Sequence, residues 1–174
     1  SQQERDKTGL IIVDCSEKMR LGEVGDTENL DTFIIDHHKT STGSEDSKCI
    51  IDSSSPAASC LVQMLYESIV GPLDKKAADT LFFGLSTDTG FFRFLREDSA
   101  NVFELAARLV TAGANPNKMY DKITGGKPYS TRKLLGTTIA HAERYCNGKL
   151  VVAYETMEDT KRYGQEGRDS DMFY

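Results

Sequence analysis

Apolar residues come first in short runs and later at helical spacing, and the change falls near residue 55. Leu10-Ile11-Ile12-Val13, Thr32-Phe33-Ile34-Ile35 and Cys49-Ile50-Ile51 have the length and character of buried strands. Polar connections separate them: Ser16 to Asp31, then a Ser/Thr/Gly/Asp loop from Lys39 to Lys48. Ser55-Pro56 predicts a helix start, with Ser as N-cap and Pro at the first helical position. Ala57, Ala58, Leu61, Leu65 and Ile69, with Met64 beside them, give that helix an apolar face until Gly71-Pro72 stops it. Asp74 caps a second helix, which carries Ala77, Ala78, Leu81 and Phe82 towards Asp88. Ser99 opens a third, with Val102, Leu105, Ala106, Leu109 and Val110 inside and Gly113 as the stop. Asn115-Pro116 starts a short helix ending at Gly125-Gly126, and Pro128 to Arg144 reads as a long final one. Leu150 to Tyr154 then reads as a strand with no obvious partner, followed by a polar helical tail ending at Tyr174.

Strands early and helices late predict an α/β domain with a mostly parallel sheet flanked by helices. Asn147-Gly148 marks the expected boundary, dividing 1–147 from 148–174, the start of a second α/β domain. The chain opens on Ser1 with only a short polar lead before its first strand, so a fragment or processed piece is expected.

Charge narrows the partners. The net charge is −6 and no Lys/Arg cluster stands out, which argues against a broad footprint for duplex nucleic acid. A small phosphorylated substrate stays open, because bound divalent cations would bring the positive charge that side chains lack. No apolar stretch approaches a membrane span and no signal peptide opens the chain. None of Cys15, Cys49, Cys60 and Cys146 forms a CxxC pair, which disfavours structural zinc. Free thiols in a reducing cytoplasm are expected. Cys15 follows Asp14 directly and is read as a packing residue.

The chemistry gathers where apolar runs end. Phe33-Ile34-Ile35 leads into Asp36-His37-His38, Leu10–Val13 ends in Asp14, and Phe83–Ser86 runs into Thr87-Asp88-Thr89-Gly90. Ligands of α/β proteins sit beyond strand ends, where such groups can converge. Asp14, His37 and Asp88 make a donor set that Mn²⁺ or Mg²⁺ accepts. Asp36 is a candidate to fix the tautomer of one histidine. Asp14, on an early central strand, is the candidate bridge between two metals, and His38 would reach the attacked phosphate or the leaving oxygen. A single Asp at a strand end is usually a turn former, and a lone His such as His141 is usually a plain surface or core side chain. Two adjacent histidines after an Asp, with two matching acid-ended runs elsewhere, favour the metal reading. Gly125-Gly126-Lys127 lacks the spacing of a phosphate loop, and Gly22-Glu23-Val24-Gly25 follows no tight strand-to-helix turn.

At Asp36-His37-His38 the chain resembles the DHH family of metal-dependent phosphoesterases. Ile12-Val13-Asp14 is similar to its second motif, and Leu85-Ser86-Thr87-Asp88-Thr89-Gly90-Phe91-Phe92 to its fourth. The Asp-Thr-Gly-Phe form and Leu109-Val110-Thr111-Ala112-Gly113-Ala114 resemble the nanoRNase and 3′-phosphoadenosine-5′-phosphate (pAp) phosphatase branch. The resemblance implies two Mn²⁺ ions bridged by Asp14, with His37 and Asp88 as ligands and His38 facing the substrate phosphate. It also puts Arg20 and Ser59 in segments where substrate contacts are expected. The implied reaction releases 5′-mononucleotides from short oligonucleotides, or AMP from pAp. A cyclic-dinucleotide phosphodiesterase, a pyrophosphatase of the same superfamily and a non-catalytic nucleotide-binding module are the alternatives. Expected partners are a short oligonucleotide or nucleoside bisphosphate, and optionally a second copy in a homodimer. The family's first motif, an HxxxDxD-like arrangement, and its GGGH substrate motif do not occur in this sequence. The 174 residues by themselves are therefore expected to be inactive or nearly so. Phe91, Phe92 and Phe94 are expected to pack rather than to stack on a base.

Overall fold

The computed structural model describes residues 9–16, 21, 30–40 and 48–164. Arg20 lies outside them. Three strands, β1 (Gly9–Val13), β2 (Asp31–Asp36) and β3 (Lys48–Ile51), pair in parallel in the order β1-β2-β3. Among the described residues β2 is therefore the central strand, whereas the sequence put Asp14 on a central one. Burial explains the difference: Ile34, Ile35 and Asp36 are buried on β2, while Ile11 and Val13 of β1 are exposed. Val13 lies opposite Ile35, and the Asp14 amide donates to the Ile35 carbonyl at 2.9 Å. That last bond extends the ladder by one residue and brings Asp14 to the same sheet end as Asp36-His37-His38.

Helices α1 (Ala58–Ile69), α2 (Lys75–Asp88), α3 (Ala100–Thr111) and α4 (Pro116–Thr124) follow, and α1 packs on β2, α2 and α3. The molecule is thus α/β, a parallel sheet with helices against it. Its core joins Ala57, Cys60, Phe82, Leu85, Val102 and Leu109, where each fully buried large side chain contributes about 2 kcal/mol. Asp74 caps α2 as its position predicts, its carboxylate accepting from the Ala77 amide at 2.7 Å.

Helix α1 starts later than Ser55-Pro56 predicts, with Ala57 at the N-cap. The preceding residues are committed elsewhere. Asp52 accepts from the Ser54 amide and hydroxyl at 2.9 and 2.6 Å, and the Ser55 amide donates to the Asp52 carbonyl at 3.1 Å. The Ser55 hydroxyl donates to the Ala57 carbonyl at 2.9 Å, and Ala57 takes the N-cap position instead.

By its internal contacts the chain forms two compact units, Ser1–Ile123 and Thr124–Tyr174. In the second, α5 (Tyr129–Ala140) is shorter than the helix expected to reach Arg144. Glu143–Tyr145 instead forms β4, which pairs antiparallel with β5 (Leu150–Val152) and supplies the partner that the sequence did not reveal. Cys146, Asn147 and Gly148, all at positive φ, turn the chain between them. Asn147, where the sequence marks a change of domain, is thus in this turn. His141 caps the end of α5 and stacks on Tyr154 with ring centroids 5.0 Å apart. Helix α6 (Met157–Tyr163) begins with a capping box between Thr156 and Asp159. Among the described residues no helix is long and apolar enough to cross a membrane. No disulfide joins Cys15, Cys49, Cys60 or Cys146.

Candidate metal centre

Asp14 follows β1 with φ of 64°, a left-handed conformation that costs a non-glycine residue roughly 1–2 kcal/mol. The strand ladder holds its amide on Ile35, and the side chain turns towards the residues that follow β2. His37 Nδ1 lies 3.1 Å from the Ser55 carbonyl oxygen. A carbonyl only accepts, so Nδ1 carries a proton and Nε2 is the nitrogen that faces the carboxylates. That Nε2 is 3.2 Å from Asp14 Oδ1 and 3.9 Å from Asp88 Oδ2. Two carboxylates facing one imidazole nitrogen favour a cation there, whether a proton on Nε2 or a metal ion shared by all three.

The electrostatics agree. Burial pushes the Asp88 carboxyl up from its ordinary value and the Asp14 charge pushes it further, against a smaller opposing pull from His37 and His38. Two carboxylates beside an imidazole nitrogen are a donor set for a hard or borderline divalent cation. On this chemistry the residues present fit such an ion.

His38 differs. Its Nδ1 bonds Asp36 Oδ1 at 2.7 Å, and the same oxygen accepts the amides of His37 at 2.7 Å and His38 at 3.2 Å. Asp36 is 1% exposed, so its carboxylate is a fixed anchor for both histidines. Asp14, His37 and His38 bring ligand atoms within 4.8 Å of one another. His38 Nδ1 is 3.8 Å from Asp14, but Asp36 already holds that nitrogen, which leaves Nε2 as the available one.

Asp14, Asp36, His37, His38 and Asp88 therefore converge as their positions at element ends suggest. Ser59 lies in the first turn of α1, its Oγ buried and without a hydrogen-bond partner. No hydrogen bond or ion pair among the described residues joins it to Asp14, His37 or Asp88. Gly84 allows α2 to approach it, since a Cβ there would lie 3.1 Å from Ser59 Cβ.

The sequence reading missed two supports. One is the Ser55 carbonyl, which orients His37 and carries no side-chain signature; only the run Asp52-Ser53-Ser54-Ser55 hints at its turn. The other is the turn beyond Asp88. Buried Thr89 donates its hydroxyl to the Leu85 carbonyl at 2.6 Å and accepts the Phe92 amide at 3.0 Å. Gly90, Phe91 and Phe92 all have positive φ there. Phe91 packs edge-on to Tyr120, and Phe92 stacks on Phe103 with centroids 5.4 Å apart. Phe94 does not bury.

Residues 3–85 match the model of the DHH family, N-terminal domain. The fold is similar to the crystal structure of an exopolyphosphatase-related protein from Bacteroides fragilis, with a TM-score of 0.81 and 20% identity. That similarity covers 94% of this chain and 50% of the other, so the chain spans half the length of that relative. The family match includes Asp14 and Asp36-His37-His38 and stops before Asp88, and the likeness to the solved structure is one of fold.

Proposed function

We propose that Asp14, His37 and Asp88 form part of a two-metal phosphoesterase site, with Mn²⁺ as the physiological ion and Mg²⁺ as a substitute. The observation that carries this reading is the His37 Nε2 atom held 3.2 Å from the Asp14 carboxylate and 3.9 Å from that of Asp88. Divalent cations bound there would supply Lewis acidity towards phosphoryl oxygens and lower the pKa of a coordinated water. The chain's own residues do the rest. Asp14, exposed along half its side chain, is the carboxylate able to serve two ions. Ser55 keeps His37 in one tautomer. Asp36 fixes His38 so that Nε2 faces away from it, free to hydrogen-bond a phosphate oxygen or exchange a proton with the leaving oxygen. Arg20 and Ser59 are proposed as substrate contacts.

The proposed substrates are short oligonucleotides, cleaved to 5′-mononucleotides, and pAp, cleaved to AMP. The whole protein is proposed to be cytoplasmic and to act without duplex nucleic acid or a membrane. The exopolyphosphatase-related relative favours a second reading, hydrolysis of a phosphoanhydride at the same site. The test is product release by the whole protein with Mn²⁺, given pApA, pAp, a cyclic dinucleotide and inorganic pyrophosphate in parallel. Release from pApA or pAp, lost in His37→Ala, is expected. Release from pyrophosphate alone would favour the second reading, and no release with Mn²⁺ bound would favour a binding module.

A further inference from the structure

Phe94 is a large apolar side chain left 58% exposed on the segment that follows Asp88. Its position is nonetheless fixed. The Phe94 amide donates to the Thr89 carbonyl at 3.1 Å, and the ring lies directly on Gly90. A Cβ at Gly90 would come within 2.5 Å of ring carbon Cε2, so only glycine lets the ring lie there. The Arg93 guanidinium sits 4.5 Å from the ring centroid, within the range of a cation–π contact. Gly90 is two residues beyond Asp88, so their Cα atoms are at most about 7 Å apart. Phe91 and Phe92, on the same turn, are folded inward against the core. The turn therefore sorts its aromatics, packing two partly buried rings against the core and presenting one.

We infer that Phe94, backed by Arg93, is a stacking shelf for the nucleobase of a nucleotide whose phosphate lies at Asp14, His37 and Asp88. The inference rests on the phosphoesterase reading and deepens it, since a shelf for a base separates nucleotides from inorganic phosphoanhydrides. Stacking on an aromatic tolerates any base, because every base has a π face. The shelf thus selects for the presence of a base and not for its identity.

The test compares AMP with ribose 5-phosphate, which lacks only the base, by calorimetric titration of the whole protein with Mn²⁺. The wild type should bind AMP about five- to a hundredfold more tightly, the range for stacking one base on an aromatic side chain. Phe94→Ala should bring AMP down to the level of ribose 5-phosphate while leaving ribose 5-phosphate and the melting temperature unchanged. Phe94→Trp should keep the preference. A Phe94→Ala protein that still prefers AMP would overturn the shelf and leave the phosphoesterase reading standing. Wild type that binds neither ligand would contradict both.

Discussion

Without a cation, Asp88 carries a charge that burial and Asp14 both oppose. A carboxyl raised in the folded state favours folding while protonated, and that contribution is lost as pH rises through its folded value. At pH 7 Asp88→Asn should therefore melt at a higher temperature than wild type in chelator, because it removes the opposed charge. The gap should close as pH falls towards the ordinary value of 3.8. With saturating Mn²⁺ the order should reverse, because the amide is a poorer ligand and the wild type gains stability by binding. Thermal melts in both conditions decide it; a variant less stable in chelator as well would show that Asp88 is a structural residue. Cys60 has a separate signature. Burial pushes its thiol up to about 11, whereas Cys49 and Cys146 are exposed. Iodoacetamide at pH 8 should label Cys49 and Cys146 first and Cys60 only on unfolding, as read by mass spectrometry. At this scale much of the site is legible in the sequence, because Asp14, His37 and Asp88 each end an apolar run. The Ser55 carbonyl is not, since a backbone acceptor has no letter of its own.

Helix starts depend on which groups are already engaged. Asp74 caps α2 as expected, but Ser55 is drawn into the Asp52 turn and α1 begins beyond it. The overlong last helix has a comparable cause: β4 and β5 pair through a turn at Cys146-Asn147-Gly148, and pairing overrides a weak local helix signal. Between helices, Gln63 of α1 is 1% exposed and donates to the Leu105 carbonyl of α3 at 3.1 Å and to Glu67 at 3.0 Å. Glu67 in turn receives Arg108 at 3.1 Å. Gln63→Ala removes both bonds and leaves a void, which should lower stability by about 2–3 kcal/mol in urea unfolding. A loss under about 0.5 kcal/mol would mean that the α1–α3 contact tolerates the gap. Gly90→Ala should lower it by about 1–3 kcal/mol, because alanine meets both a positive φ and the Phe94 ring.

The sheet and the helices meet their purpose at one end of the first unit. Parallel pairing aligns the ends of β1 and β2, and the Asp14 amide adds the final rung. Helix α2 ends at Asp88, which brings a second acid to the same imidazole. The α/β class was legible from runs followed by helical spacing, whereas the centrality of β2 was not, because pairing order has no local signature. The central claim is that these termini hold divalent metal. Its most direct test is Mn²⁺ binding by the whole protein, read from loss of the free-ion electron paramagnetic resonance signal on titration. The account predicts that wild type and His141→Ala bind alike, while Asp14→Ala and His37→Ala each lose at least tenfold in affinity. Undiminished binding in both of those variants would contradict it.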